Sequence, residues 1–296
     1  MPSTQALHQP HTEHLAQQSP LFLLTRPDHY EIAYSINPWM DPSEWSADAD
    51  NKQKQAWGAW QALNDAIIQA GGYVLSVPGA QGYPDMVFPA NSAIVLGRRA
   101  LLSHFRHEQR RGEEQYFTQI FDSLKKQGLL DEVARFPENV HQEGAGDCMW
   151  DACRGCFWAG CGPRSDPQAA HYVEQYFEQP VKSLELVDGH FYHLDVCFNP
   201  LPGGEVIYYP DAFTAEGLAT IEASVPIDKR LVCSREEARS LALNSVSIGN
   251  TVILTKGASL LRQSLTDAGY RIHELDLDPF LLSGGAAFCM SLRLDQ

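Results

Sequence analysis

The 296-residue chain predicts a closed α/β domain assembled from radially repeated units, each with two strands, a helix and a further strand. Three observations carry this expectation. The same order of elements recurs along the chain. The turns between the first two strands fall near 97, 154, 203 and 249, and a spacing of about fifty residues lies within the period that marks repeat architectures. Strand-like runs at the two termini lack partners nearby in sequence and can complete a fifth unit by meeting in space. Such a ring leaves a central channel able to hold a small ligand.

Taken in order, residues 1–20 (MPSTQALHQPHTEHLAQQSP) have neither the basic start nor the apolar run of a secretory signal, and read as a disordered polar tail. Residues 21–296 are expected to form one domain. The first helix, NKQKQAWGAWQALNDAIIQAGG, places Trp57, Trp60, Leu63 and Ile67 at helical spacing, a stripe expected to face the core. The first unit pairs SAIVLG with ALLSHF and continues into EEQYFTQIFDSLKKQG, whose Tyr116, Phe117, Ile120, Phe121 and Leu124 share a face and whose Gly128 caps the end. DCMWDAC and CFWAGCG pair around Arg154 and Gly155, ahead of a helix in DPQAAHYVEQYFEQ and the strand KSLELVD. HLDVCFNPL pairs with EVIYYP across Gly203 and Gly204, before the helix TAEGLATIEAS. NSVSIG and TVILTKG precede a helix through Leu260, Leu261 and Leu265 and the strand YRIHELDL.

Composition excludes several roles. A formal net charge of -15 opposes binding to nucleic acid or an anionic membrane, since both begin with clustered Lys and Arg neutralising phosphates. The basic cluster Arg106 to Arg111 is interrupted by acids and reads as a solvated helix start. No run reaches the roughly 20 apolar residues of a membrane helix, so a cytoplasmic protein is expected. Seven cysteines, at 148, 153, 156, 161, 197, 233 and 289, are read as reduced thiols.

Four segments place dense polar residues in apolar surroundings: PDMVFPAN (84–91), EGAGD (143–147), FYHLDVCF (191–198) and SGGAAFC (283–289). Each has a plainer reading alone. EGAGD can be a glycine-rich turn, His193 and Asp195 can be polar groups sharing one face of a strand, and a lone cysteine is inert by default.

Together, in this order and separation, they resemble the guanidino-group-modifying superfamily with the pentein fold: arginine deiminases, dimethylarginine dimethylaminohydrolases and glycine amidinotransferases. The pentein fold is a fivefold pseudosymmetric ββαβ propeller with a central active-site channel, which agrees with the repeats. Within it the chain is most similar to the arginine dihydrolases, including the N-terminal domain of the cyanobacterial bifunctional enzyme. That resemblance runs through PDHYEIAYSINPWM, GYPDMVF, EGAGD, WAGCGPRS, FYHLDVCF and SGGAAFCMSLRL, nearly everything after residue 20.

The resemblance implies a cofactor-free, metal-free hydrolase cleaving carbon–nitrogen bonds of a linear amidine, with L-arginine or a related guanidino compound as substrate. A guanidinium is resonance-stabilised and charged, hence a poor electrophile, and a thiolate is the side chain suited to attack it. Cys289 is the implied nucleophile and His193 the general acid and base. Glu143 would orient the imidazole, as a triad carboxylate does. Asp195 would accept from the guanidinium, and Arg164 would pair with the substrate α-carboxylate. Asp85 and Phe88 would line the pocket, with Arg110 at a further substrate-contacting position.

Asn91 is the informative departure, because the deiminases and dimethylarginine hydrolases carry aspartate there and the dihydrolases asparagine. An amide can also donate to a ureido oxygen, so Asn91 would let citrulline be attacked again, giving ornithine, carbon dioxide and two ammonia. A structural turn asparagine is the alternative. Pro89 and Phe288 also depart from the family pattern. Cys148, Cys153, Cys156 and Cys161 suggest a rival zinc site, set against small buried thiols. A deiminase, a dimethylarginine dimethylaminohydrolase and a non-catalytic pentein binding module remain the competing readings, and oligomeric state is left open.

Overall fold

The computed structural model describes residues 19–296, so the expected polar tail lies outside the described residues except for its last two. Among the described residues, fifteen strands form five separate three-stranded sheets. In four of them the strands are consecutive: β3 (Ala93–Leu96), β4 (Arg99–Leu102) and β5 (Glu132–Arg135); β6 (Cys148–Asp151), β7 (Cys156–Cys161) and β8 (Val181–Glu185); β9 (Phe198–Pro200), β10 (Val206–Tyr208) and β11 (Arg230–Val232); β12 (Val246–Ile248), β13 (Thr251–Thr255) and β14 (Arg271–Leu275). The fifth joins the chain ends: β15 (Leu292–Arg293) pairs antiparallel with β1 (Leu21–Thr25), which pairs parallel with β2 (Tyr73–Val77). Leu294 N–H donates to the Leu21 carbonyl and Leu21 N–H to Asp295, which fastens this unit shut. The chain therefore has the fivefold ββαβ architecture of a pentein.

Within every unit the middle strand pairs antiparallel with the first and parallel with the last. A parallel return needs a crossover, and the longest helix in each is α1 (Ala49–Gln69), α2 (Glu113–Lys126), α3 (Ala169–Phe177), α4 (Ala215–Ser224) and α5 (Ser259–Asp267). The antiparallel hairpins turn through Gly97 and Arg98, Gly155, Gly204 and Gly249, all at positive φ. Those are the repeat turns legible in the sequence, and glycine reaches this conformation without a Cβ clash.

The α2 stripe buries Phe117, Phe121 and Leu124, and Gly128, at φ +73, sits just past the helix where its N–H meets the Lys125 carbonyl. Two expectations fail. Trp57 on α1 is 37% exposed, because only Trp60, Leu63 and Ile67 of its stripe turn inward. The basic cluster is not a solvated helix start throughout: Arg110 is 3% exposed and ion-paired with Glu113 in the interior. Among the described residues no helix is long and apolar enough to cross a membrane.

Candidate active site

The first strand of each unit is preceded by a short irregular segment, and these segments converge. Three are single 3₁₀ turns: Pro89–Ser92, Gly144–Gly146 and Leu194–Val196. His193 and Asp195 are therefore not on a strand. His193 enters the turn and strand pairing starts only at Phe198, since Cys197 N–H bonds back to the Leu194 carbonyl. Cys289 likewise lies in a turn, with Met290 N–H on the Ala286 carbonyl, and the strand after it is only Leu292–Arg293. Turns let several side chains approach one point from different units, which a regular strand directed along the channel would not.

Glycine is required where these segments touch. A Cβ on Gly144, at φ +67, would stand 2.4 Å from the Ala90 carbonyl oxygen, and one on Gly146 would stand 2.3 Å from Asn91 Nδ2. One on Gly285 would reach within 2.5 Å of the Phe88 ring. The glycine-rich motifs are thus close-approach motifs and not merely turns.

Seven of the nine expected residues, Asp85, Phe88, Asn91, Arg110, Arg164, His193 and Cys289, line one cavity of about 10 Å³, roughly the room for a single water. Glu143 and Asp195 stand just behind the lining and touch it. Cys289, 2% exposed, has its Sγ 2.9 Å from Asp195 Oδ2. Burial, then the Asp195 carboxylate, push its thiol well above the ordinary value. Burial likewise raises Asp195 to about 6, with His193 and the Cys289 thiol restraining the shift.

The imidazole of His193 lies between two carboxylates: Nδ1 is 3.0 Å from Asp147 Oδ2 and Nε2 is 3.2 Å from Glu143 Oε2. Neither contact has hydrogen-bond alignment, so the ring is held by charge and packing, tilted against the Tyr192 ring with centroids 4.8 Å apart. Burial opposes charge on the ring, but Asp147 and then Glu143 overcome it and raise the imidazole to about 9. That shift favours the imidazolium form. Burial also opposes the Glu143 charge, yet Arg164, 2.8 Å away, and His193 hold that carboxyl well below the usual range.

Asn91 is a buried site residue with a fixed amide. Its Oδ1 accepts from Arg110 at 3.0 Å and its Nδ2 donates to the Glu143 carbonyl at 3.3 Å. Arg110 is anchored by two bonds to Glu113 and one to the Asp85 carbonyl, so its reach into the site passes largely through Asn91. Asp85 Oδ2 accepts from the Tyr34 hydroxyl at 2.9 Å, while Asp85 Oδ1 and Asp195 Oδ1 are buried without a hydrogen-bond partner. Arg164 stacks over Tyr192 and donates to the Ile36 carbonyl.

That last bond belongs to a covering loop, residues 27–40, which the sequence did not flag as part of the site. Ile36 and Asn37 line the cavity, Asn37 Nδ2 donates to the Ser283 carbonyl, and Trp39 Nε1 donates to the His190 carbonyl. Asp147 was also missed as a site residue, although it closes the EGAGD motif. The rival zinc site does not assemble: Cys148 packs with Phe157 and Ala159, Cys156 packs in another cluster, and Cys153 is exposed. Among the described residues no group of three or more His, Cys, Asp or Glu side chains could hold a metal.

Residues 32–294 match the family profile described as N,N dimethylarginine dimethylhydrolase, eukaryotic. The bifunctional arginine dihydrolase/ornithine cyclodeaminase ArgZ of Synechocystis sp. is 38% identical over 93% of this chain. The match takes in 37% of that relative, so the chain spans little more than a third of its length. The N(G),N(G)-dimethylarginine dimethylaminohydrolase of Mycobacterium tuberculosis is 32% identical over 92% of this chain and 85% of its own. A crystal structure of the N-terminal domain of ArgZ, an arginine dihydrolase from the cyanobacterial ornithine–ammonia cycle, shows a cysteine-to-serine variant bound to substrate. It superposes with a TM-score of 0.86 at 36% identity, covering 94% of this chain and 99% of that one.

Proposed function

The chain belongs to the dimethylarginine dimethylhydrolase family within the pentein superfamily, and on that premise we propose that it is an arginine dihydrolase, with residues 21–296 acting as one catalytic unit. The observation that carries this reading is Asn91, whose amide is fixed between Arg110 and the Glu143 carbonyl. An aspartate there would set an oxygen against that carbonyl. At this position the site thus offers an amide near the Asp195 carboxylate, and an amide can also donate to a neutral ureido oxygen.

Arginine arrives as a cation in a site where Asp195 Oδ1 has no partner. Its guanidinium donates to Asp195 and offsets the charge that keeps the Cys289 proton in place, and that proton passes to bulk water as the thiolate forms. The thiolate sulfur then bonds to the guanidinium carbon. His193, already an imidazolium, gives its proton to the departing nitrogen, and ammonia leaves a covalent amidino intermediate on sulfur. The neutral imidazole takes a proton from water, the water oxygen bonds to carbon, and the carbon–sulfur bond breaks to give citrulline. A second attack on the ureido carbon releases the second ammonia and leaves a thiocarbamate, whose hydrolysis gives ornithine and carbon dioxide. The sum is arginine plus two water molecules going to ornithine, carbon dioxide and two ammonia.

Arg164 is the cation for the α-carboxylate, and Glu143 with Asp147 keeps the imidazole charged between transfers. The cavity must widen for substrate, because it holds about one water. Ammonia counted per arginine consumed tests the reading: a ratio near two with ornithine supports it, and citrulline accumulating at a ratio near one overturns it. The family profile favours a second reading, dimethylarginine hydrolysis, which release of dimethylamine would show.

A further inference from the structure

Four of the five units place a residue of the proposed chemistry just ahead of their first strand: Asn91, Asp147, Asp195 and Cys289. The remaining unit contributes Asn244, ahead of β12 and fully buried. Most of its polar atoms bond to the turn that carries Cys289. Its Oδ1 accepts from the backbone N–H groups of Ala286 at 2.9 Å and Cys289 at 3.1 Å, and its own carbonyl accepts from Phe288 N–H. Its Nδ2 donates to the Asp195 carbonyl at 3.2 Å and to Cys289 Sγ at 3.1 Å.

We propose that Asn244 positions Cys289 for attack and stabilises its thiolate through the Nδ2 hydrogen bond. An anionic sulfur buried in protein needs donors. The titratable groups facing this sulfur work mostly against that need or are engaged elsewhere. Asp195 accepts from the thiol, and Tyr192 donates to the Gly284 carbonyl. Asp85 adds negative charge to the cavity, Arg110 is paired with Glu113 and Arg164 with Glu143, and His193 sits between its carboxylates. Asn244 is the side chain seen to donate to the sulfur. The amide's two ends act together: the oxygen fixes the turn's backbone and so places the sulfur, and the nitrogen meets the charge that develops there.

This inference rests on Cys289 as the nucleophile, not on the identity of the substrate. Its test is the pH dependence of iodoacetamide alkylation in the substrate-free full chain, followed on the Cys289 peptide by mass spectrometry, for Asn244→Asp, Asn244→Ala and Asn244→Ser. Asp keeps the acceptor and removes the donor, and Ser keeps a donor. The expected result is an alkylation midpoint raised by about one pH unit in Asn244→Asp and Asn244→Ala, a tenfold lower thiolate fraction at neutral pH. Asn244→Ser should fall nearer the wild type. With arginine, kcat should drop about tenfold or more while KM changes little. Thermal melts identify the folded variants, and any one donor-free variant that folds decides the matter. A wild-type alkylation profile in a folded Asn244→Asp or Asn244→Ala protein overturns the inference. Shifted profiles in a protein that leaves arginine unreacted uphold it and overturn the dihydrolase reading instead.

Discussion

Cys289 Sγ lies 2.9 Å from Asp195 Oδ2, so the proposed nucleophile donates its proton to the carboxylate proposed to hold the substrate. In the proposed mechanism the empty site keeps the sulfur protonated, and the substrate's own charge releases it. Asp195→Asn separates these effects. Removing the carboxylate should speed iodoacetamide alkylation of substrate-free Cys289 at neutral pH, while arginine hydrolysis falls by about a thousandfold, the scale of losing a charged substrate contact and the preorganisation around it. Alkylation and hydrolysis that slow together would contradict this arrangement.

Asn91→Asp tests the second hydrolysis. The aspartate oxygen replacing Nδ2 would face the Glu143 carbonyl at the 3.3 Å now bridged by a hydrogen bond. A buried mismatch of this kind costs roughly 1–3 kcal/mol, to be read as a lower denaturation midpoint. The ammonia yield per arginine should fall from two toward one, with citrulline released. An unchanged yield of ornithine would remove Asn91 from the argument.

The pH profile follows from two shifts of opposite consequence. Asp195, raised to about 6, must be ionised to hold a guanidinium, so kcat/KM should fall below about pH 6. His193, raised to about 9, supplies the departing amine's proton only below that pH, so kcat/KM should also fall above it. A profile still rising at pH 10 would exclude His193 as the acid.

The same histidine affects stability. Its folded pKa lies above its ordinary 6.5, so its ion contacts stabilise fully below pH 6.5 and are lost as pH rises toward about 9. The full effect is on the order of 3 kcal/mol by the shift alone. In thermal melts, the stability difference between the wild type and His193→Gln should shrink from pH 6.5 to 9. A difference that stays constant over this range would show that the imidazole is not charged in the folded protein.

Gly146→Ala probes close approach without removing any functional group. Its Cβ would stand 2.3 Å from Asn91 Nδ2, and the crowded amide would have to leave both of its partners. The expected cost is about 1–3 kcal/mol of stability and a loss of about a hundredfold in kcat/KM, the penalty of a small misplacement at a reacting centre. Full activity in this variant would show that Asn91 has room to move.

Much of this site was legible in the sequence because turn glycines and apolar runs are local signals repeated at a constant interval. Gly97, Gly155, Gly204 and Gly249 mark the hairpins wherever the ring places them, and the motif residues around Asp85, Glu143, His193 and Cys289 come from separate repeats, as a shared channel demands. The strand assigned to His193 and Asp195 was wrong because alternating polarity cannot distinguish a strand from a 3₁₀ turn that buries both side chains. Trp57 was misplaced because an aromatic stripe on a long helix can be wider than the contact it covers.

By itself, then, the sequence determined a repeated ββαβ fold and brought a cysteine, a histidine and their carboxylates to one channel. Only the tertiary structure decided that Asp147 and Glu143 flank the imidazole from opposite sides, that Arg110 acts on Asn91 and that Asn244 grips Cys289. Those relations cross between units distant in the chain. They depend on ångström-scale distances fixed when the ring closes and Leu21 and Leu294 meet, and no spacing along the sequence encodes such distances.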